Sequence, residues 1–340
     1  MDTLTHMAIG AAAGELILGK REGGTAILVG ALAGAMPDLD IIPTLFMEQL
    51  AKLDVHRGYS HSILFALLIS PILGYIIARM TKGRGGTNNR LPWTILIFIA
   101  VLLHIGIDCL TTYGTRIFLP FSDYRVAISA IAIIDPFFTI PLVAAVLALL
   151  LMRKRMKFRR LVFLAGLFIS TIYLVFTLGN KLNIESVFEK SLENKHYAYS
   201  RLFTTPLPFS NLLWVGIAEG DTSYYMGYYS LFDKDAAVKF HPIEKNHETI
   251  HAMTDNDVIK KIISITLGLY SIEKNGNHFV FNDLRYGSRN VGVGRDEFMF
   301  SFIITNDNGK IQIRRKSIGK LRFGSVPLLF KRMRGEAGSG

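Results

Sequence analysis

The sequence predicts a membrane-embedded bundle of about six helices, the first two short, followed by a small extracytoplasmic α+β domain with an antiparallel sheet. Half of the 340 residues are hydrophobic, and the mean hydropathy is +0.32. Apolar runs of about 20 residues, long enough to cross a bilayer, recur before residue 180. Beyond it, alternating polar and aromatic stretches are separated by turn signals. The predicted domains are 1–180 and 181–334, with 335–340 as a disordered tail that resembles an expression tag.

Four apolar runs predict full spans, at 63–80, 93–110, 126–152 and 161–178. Two shorter stretches, 7–18 and 25–36, are rich in Ala and Gly, which allow helices to approach closely in lipid. They predict a tight helical hairpin. In the second domain, strands are predicted at 212–218, 223–232, 278–284, 297–305 and 310–314, and a helix at 255–267. The lone Cys109 excludes an intrachain disulfide and a cysteine-based zinc site.

Basic residues cluster after alternate helices, at 20–21, 79–90 and 153–160. The positive-inside rule places these clusters in the cytoplasm. Six crossings satisfy the rule, with the N-terminus and the segment from about residue 181 outside. The net charge of +11 is explained by these loops, so we predict the lipid bilayer as a partner and no nucleic acid. The oligomeric state is left open.

Polar residues converge on the predicted outer face. Residues 54–62 place two histidines, an aspartate, an arginine and a glycine directly before an apolar run. Ionisable groups at such a position indicate a functional site by default. His6, His104 and several aspartates reach the same face from other segments. We therefore expect one shared site.

Each motif also has a structural interpretation. His104 and Asp108, one helical turn apart, either bind one metal or hydrogen-bond to each other. Asp38 and Asp40 either face a metal or end a helix among the headgroups. Asp135, directly before a proline, either acts in the site or caps a kinked helix.

Mixed imidazole and carboxylate ligands suit Zn²⁺ or Mn²⁺ better than Ca²⁺ or Mg²⁺. The number of candidate ligands predicts a cluster of two or three ions, which would activate water and clamp a phosphoester. Arg57, Arg116 and Arg125 are candidates to hold a phosphate, with contact to lipid headgroups as the alternative.

Together these motifs resemble the membrane-bound metal-dependent hydrolase family of bacterial inner membranes. The resemblance rests on residues 2–6, 37–40, 56–62, 104–114, 135–136, 205–208 and 283–287. It implies an inner-membrane location and a ligand pattern similar to that of zinc-dependent phospholipase C. The ligand set it implies is His6, Asp38, Asp40, His56, His61, His104, Asp108 and Asp135. Arg57 and Asp135 are the candidate catalytic residues, with Arg57 as a clamp for an anionic group.

The leading hypothesis is a metal-dependent hydrolase that acts at the outer leaflet on an ester or phosphoester bond of a lipid or lipid-linked substrate. One alternative is a zinc metalloprotease, because His247, Glu248 and His251 match the H-E-x-x-H pattern. Turn residues around this motif argue against the helix it requires. The other alternative is a non-enzymatic transporter or scaffold whose buried polar cluster binds an ion.

Overall fold

A computed structural model describes residues 1–82, 89–152, 158–235, 237–289, 297–307, 310–316 and 325–336. The chain divides into two compact units. The membrane unit comprises 1–47, 54–128 and 133–176, and the C-terminal unit comprises 48–53, 129–132 and the chain from 177 onwards. Parts of two predicted basic clusters, 83–88 and 153–157, and tail residues 337–340 lie outside the described residues.

The first part of the chain is helical. Its helices are α1 (Thr3–Glu22), α2 (Gly24–Ala35), α3 (Ile41–Thr44), α4 (Gln49–Val55), α5 (Ile63–Thr81), α6 (Arg90–Cys109), α7 (Pro136–Leu151) and α8 (Arg159–Asn194). Short 3₁₀ segments at Met36–Asp40 and Tyr59–His61 precede α3 and α5. Within the described residues, four stretches are long and apolar enough to cross a membrane: Gly24–Thr44, Ile63–Thr81, Arg90–Cys109 and Arg159–Asn194. Helix α7 is apolar but shorter.

Helices α1 and α2 form the predicted tight hairpin, although α1 is longer than expected. A Cβ atom added to Gly10 would meet the carbonyl oxygen of Gly30, and one added to Gly14 would meet that of Ala26. The backbones approach this closely because these positions carry no side chain. Asp2 caps α1 by accepting a hydrogen bond from the Thr5 backbone N–H at 3.0 Å.

The predicted span 126–152 is wrong in its first part, because the helix begins only at Pro136. Asp135 is the N-cap residue, and its carboxylate accepts the Phe137 N–H at 3.1 Å. Proline at the first helical position needs no N–H partner, so it starts a helix here instead of kinking one. Helix α8, by contrast, continues 16 residues beyond the predicted end at 178.

The basic residues and the site candidates lie at opposite ends of the same helices. Lys20 and Arg21 occupy the last turn of α1, Arg79 that of α5, and Arg90 begins α6. The other helix ends carry His6, Asp38, His61, Asp108 and Asp135. The chain order thus alternates between a basic end and a site end, as the sequence predicts.

The C-terminal unit contains two four-stranded antiparallel sheets where the sequence predicted one. The strands are β1 (Arg201–Pro206), β2 (Leu213–Glu219), β3 (Ser223–Ser230) and β4 (Phe240–Glu244) in one sheet, and β5 (Tyr270–Asn275), β6 (His278–Ser288), β7 (Phe298–Asp307) and β8 (Lys310–Arg315) in the other. The C-terminal unit also contains a 3₁₀ helix at His247–Met253 and the helices α9 (Asp257–Ile265) and α10 (Ser325–Met333). Strand β4 contains Pro242, which is tolerated because β4 lies at a sheet edge.

Candidate metal centre

Four of the predicted ligands meet at the site end of the membrane unit. His61 ends the 3₁₀ turn before α5, His104 and Asp108 lie one turn apart on α6, and Asp38 lies in the 3₁₀ segment after α2. One ligand atom from each lies within 4.8 Å of the other three. The side chains of the first three are fully buried, whereas that of Asp38 is 14% exposed. This is the one such group of four among the described residues, and we call it the metal centre.

The two imidazoles of the metal centre face each other with their Nε2 atoms. His61 Nε2 and His104 Nε2 are 3.1 Å apart. The opposite nitrogen of His104, Nδ1, lies 2.6 Å from the Gly34 carbonyl oxygen, to which it must donate. His61 Nδ1 faces Asp40 Oδ2 at 3.3 Å and Ser60 Oγ at 2.9 Å. Bonds of this kind fix the ring and its tautomer and leave Nε2 to bind a metal.

Asp108 brings its carboxylate to these nitrogens from within α6. Its Oδ2 lies 3.4 Å from His61 Nε2 and 3.5 Å from His104 Nε2, and it has no hydrogen-bond partner of normal geometry. Its Oδ1 contacts Arg57 NH2 at 3.0 Å, His6 Nε2 at 3.2 Å and the Met1 amino group. A buried carboxylate oxygen with this surrounding is suited to a cation.

The side-chain charges of this region also fit a divalent cation. The side chains contribute three carboxylates, Asp38, Asp40 and Asp108, and one guanidinium, Arg57, which is paired with Asp108. Their formal charge is −2 when the imidazoles are neutral, and the Met1 amino group beside Asp108 offsets part of it when protonated. Burial by itself lowers the pKa of His61, but the carboxylates of Asp108, Asp38 and Asp40 outweigh burial and raise it to about 9. In the metal-free state a proton on His61 therefore supplies part of the missing positive charge.

Asp40 and His56, both predicted as ligands, lie beside the metal centre and outside the group of four. Asp40 accepts hydrogen bonds from His56 Nδ1 at 3.0 Å, the Arg57 backbone N–H at 3.0 Å and Ser60 Oγ at 3.1 Å. The His56 side chain is 34% exposed. Asp40 thus orients His61 and His56 together and ties the turn that carries them.

His6 adjoins the metal centre without joining the group of four. Its ring stacks on that of His104, with centroids 3.6 Å apart, and its Nε2 contacts Asp108. Gly34 makes this stacking possible, because a Cβ there would meet the His6 carbonyl oxygen. The hairpin packing of α1 and α2 therefore positions both imidazoles.

Arg57, predicted as a clamp for an anionic group, is buried and paired with Asp108. Its NH1 donates to Thr111 Oγ1 at 2.6 Å, its guanidinium lies 5.2 Å from the Tyr113 ring centre, and its Nε has no hydrogen-bond partner. The residue has a left-handed φ of 59°, which is uncommon for a residue with a side chain and frequent at functional sites.

The two other candidate arginines are both paired with Asp54. Arg116 NH1 and Arg125 NH2 each lie 3.2 Å from Asp54 Oδ1. These ion pairs fix the turn before residues 56–62. Their predicted contact with phosphate gains no support from this geometry.

Asp135, predicted as both ligand and catalytic residue, has other partners. Besides the Phe137 N–H, its carboxylate accepts the hydroxyl of Tyr173 at 2.8 Å. It is not a member of the group of four. The structural alternative, in which Asp135 caps a helix, describes what is observed, although the helix begins there and is not kinked.

The H-E-x-x-H motif lies in the C-terminal unit, in a 3₁₀ helix at His247–Met253. A 3₁₀ helix has about three residues per turn, so residues four apart point in different directions. His247 stacks on Tyr270 with ring centres 3.9 Å apart, and its Nε2 lies 2.9 Å from the Tyr270 carbonyl oxygen. His251 is exposed. This arrangement does not favour a zinc protease site.

Sequence reasoning missed three supporting residues. Thr3 Oγ1 donates to Asp38 at 2.9 Å, the Gly34 carbonyl orients His104, and Ser60 contacts both Asp40 and His61. Thr3 and Ser60 lie inside the motifs at residues 2–6 and 56–62, and their hydroxyl groups could have indicated hydrogen bonds to the neighbouring ligands. The hydrogen bond from His104 to the Gly34 carbonyl could not be predicted from residue type, because every residue has a backbone carbonyl.

Comparison with known proteins assigns the first part of the chain to a family. A family profile described as YdjM inner membrane protein matches residues 1–184, more than half of the chain. The protein YfhP of Bacillus subtilis (strain 168), described as uncharacterized, is 33% identical over 153 residues, 43% of this chain and 45% of that protein. The chain thus spans less than half the length of this relative. No solved structure matches the chain. The family description names the inner membrane, and neither description names an activity.

Proposed function

The chain belongs to the YdjM inner membrane protein family, and from its metal centre we propose that it is a membrane-embedded metal-dependent hydrolase. The bond cleaved is an ester or phosphoester bond of a lipid or lipid-linked substrate. The observation that carries this proposal is the cluster in which the Nε2 atoms of His61 and His104 lie close to two carboxylates. These carboxylates belong to Asp38 and Asp108. Buried ionisable groups in a membrane protein are costly and are kept for function.

Zn²⁺ is the ion that suits these donors best, with Mn²⁺ as the alternative. Asp38, His61, His104 and Asp108 would hold it, with His6 and Asp40 supporting them. Zinc in a site of this kind supplies a nucleophile at neutral pH and stabilises negative charge on oxygen. The number of ions, predicted from the sequence as two or three, is measured by metal analysis.

The residues around the ion have separate tasks in this proposal. Arg57 offsets the charge of Asp108 and offers its buried, unpartnered Nε to an anionic group of the substrate. His56 donates Nδ1–H to Asp40, so its Nε2 is free to accept a proton from the attacking water and to pass it to the leaving oxygen. Asp38, the exposed member of the centre, marks the side from which substrate arrives.

We place the centre at the outer face of the inner membrane. The basic residues at the other helix ends support this side, because positively charged loops remain in the cytoplasm. Helix α8 begins with Arg159 and Arg160, so the chain beyond it becomes extracytoplasmic. Reporter fusions after residue 180 should report an extracytoplasmic location, and a cytoplasmic signal would contradict this placement.

The activity test uses purified protein loaded with Zn²⁺ or Mn²⁺ and a screen of long-chain phospholipids and lipid diphosphates. The proposal expects hydrolysis that is lost in Asp38→Asn and weakened in Arg57→Lys. Arg57→Lys keeps the charge but removes the guanidinium fork. Absence of hydrolysis by protein with stoichiometric bound metal, across both lipid classes, would refute the hydrolase.

A second candidate function is a non-enzymatic ion-binding scaffold. The observation that favours it is the number of protein ligands, because four fill a tetrahedral zinc site, whereas catalytic zinc keeps one position open. In that case metal removal lowers the melting temperature while no substrate is turned over. Turnover that depends on the metal excludes the scaffold.

A further inference from the structure

The chain that leaves the metal centre exposes apolar side chains. We call residues 39–47 the interfacial segment. Its exposed members are Leu39, Ile41, Ile42, Leu45, Phe46 and Met47, and Phe46 is 90% exposed. No charged residue occurs between Asp40 and Glu48. A continuous exposed apolar stretch of this kind indicates a surface that is covered by an apolar partner.

The interfacial segment also carries the open side of the metal centre. Asp38 directly precedes it, and Asp40 lies within it with its carboxylate turned towards His56 and His61. The other three members of the centre are fully buried. A substrate that reaches Asp38 therefore passes beside exposed apolar side chains.

The helix lengths place this region at the edge of the hydrocarbon layer. Helix α5 has 19 residues, which at 1.5 Å each give about 28 Å, close to the hydrocarbon thickness of about 30 Å. His61 lies two residues before its start, and Asp108 is the second-last residue of α6. A bilayer whose hydrocarbon matches the length of α5 would therefore have the metal centre at its boundary with the headgroups.

A second exposed stretch adjoins the same turn. In the aromatic loop, residues 116–124, Phe121 is 84% and Tyr124 67% exposed. The loop is held to the site by two backbone bonds, Arg116 N–H to the Arg57 carbonyl at 3.2 Å and Ile63 N–H to the carbonyl of residue 117 at 3.0 Å. Tyrosine side chains prefer the membrane interface, and an exposed Phe121 beside Tyr124 adds apolar surface to the same loop.

We propose that the interfacial segment and the aromatic loop lie in the bilayer interface and admit the substrate sideways from the membrane. The substrate is then a long-chain lipid whose acyl chains stay among the other lipids while its headgroup bond reaches Asp38. The identity of the substrate rests on the proposed hydrolase function, but the position of the two segments does not. The bilayer is the occupant because the first part of the interfacial segment belongs to the apolar stretch Gly24–Thr44, and the spanning helix α5 likewise exposes apolar side chains such as Leu67 and Leu68.

The position is tested with nitroxide labels on full-length protein in phosphatidylethanolamine and phosphatidylglycerol vesicles, in a Cys109→Ala background. Labels at Phe46→Cys and Phe121→Cys should be reached by oxygen, which concentrates in lipid, and shielded from an aqueous nickel chelate. Phe232→Cys is the matched control, since Phe232 is 58% exposed in the C-terminal unit and should show the opposite. Water-exposed labels at both 46 and 121 would overturn the inference.

The substrate class is tested by comparing long-chain phosphatidylglycerol in vesicles with monomeric dihexanoyl phosphatidylglycerol. The zinc-loaded protein should hydrolyse the vesicle lipid at least about tenfold faster than the monomeric lipid. The Phe46→Asp substitution should lower this ratio of hydrolysis rates. Equal rates on both, unchanged in Phe46→Asp, would overturn the sideways route and leave the hydrolase standing. Hydrolysis of neither form, and of no long-chain lipid diphosphate in the same vesicles, overturns the hydrolase and the substrate assignment; if both labels then lie in lipid, the membrane position of the segments is still supported.

Discussion

Replacing Asp38 by asparagine removes one negative ligand from the metal centre and keeps the size of the side chain. Asp38 Oδ1 lies 3.7 Å from His61 Nε2 and 3.6 Å from His104 Nε2. The residue is partly exposed in a 3₁₀ turn, so the fold should tolerate the change. Thr3 keeps an oxygen acceptor in the amide, which limits any local rearrangement.

The expected loss of affinity follows from the missing charge. Two unit charges 4 Å apart attract each other by about 4 kcal/mol at an effective dielectric constant of about 20. A loss of this size weakens zinc binding by about a thousandfold. A divalent ion is attracted more strongly, and the desolvation of the carboxylate offsets part of that gain, so we take this figure as the expected change.

The assay is a competition titration of purified protein with a zinc chelator, together with metal analysis by mass spectrometry. Asp135→Asn is the matched control, because it makes the same change at a carboxylate outside the group of four and asparagine retains the N-cap role. Zinc affinity should be unchanged in the control. The reasoning is refuted if Asp38→Asn binds zinc as tightly as the parent, or if the control loses as much affinity.

Four further predictions use the same preparation. Asp40→Asn should weaken zinc binding by about 10–100-fold in the titration, because it releases the ring of His61. Because the neighbouring carboxylates raise the pKa of His61 to about 9, zinc must displace a proton from this ring. The apparent zinc affinity should therefore rise about tenfold per pH unit from pH 6 to 8, and a flat profile would contradict zinc binding that displaces a His61 proton. His247→Ala should leave the metal content unchanged, whereas a loss of bound metal in this variant would support the protease site. Gly34→Ala should lower the free energy of unfolding by about 1–3 kcal/mol and reduce bound zinc, whereas Gly106→Ala, with open space around it, should do neither.

Local patterns predicted the helices and their directions well. The start of α5 and the hairpin of α1 and α2 follow from hydropathy and from small residues at helical spacing. Hydropathy failed at 126–135, where the chain is apolar but not helical; the Asp135–Pro136 pair carried the correct signal as N-cap and first helical residue. Hydropathy also failed to predict the end of α8, because the helix continues beyond its apolar part as a polar segment. In that segment Phe188 packs against Gly216 of β2.

The sequence predicted the members of the site better than their roles. Asp38 and Asp40 are two residues apart in a 3₁₀ segment, so their side chains point in different directions. Only the folded turn shows that Asp38 faces the Nε2 atoms while Asp40 faces Nδ1 of His61. Similarly, the sequence could not assign Arg57 to Asp108, because that ion pair joins residues 51 positions apart.

The most direct test of the metal centre is anomalous diffraction at the zinc absorption edge from crystals of the zinc-loaded protein. We predict a peak between His61 Nε2, His104 Nε2 and the carboxylates of Asp38 and Asp108. A zinc peak at His247 and His251 with none among these four residues would contradict the account.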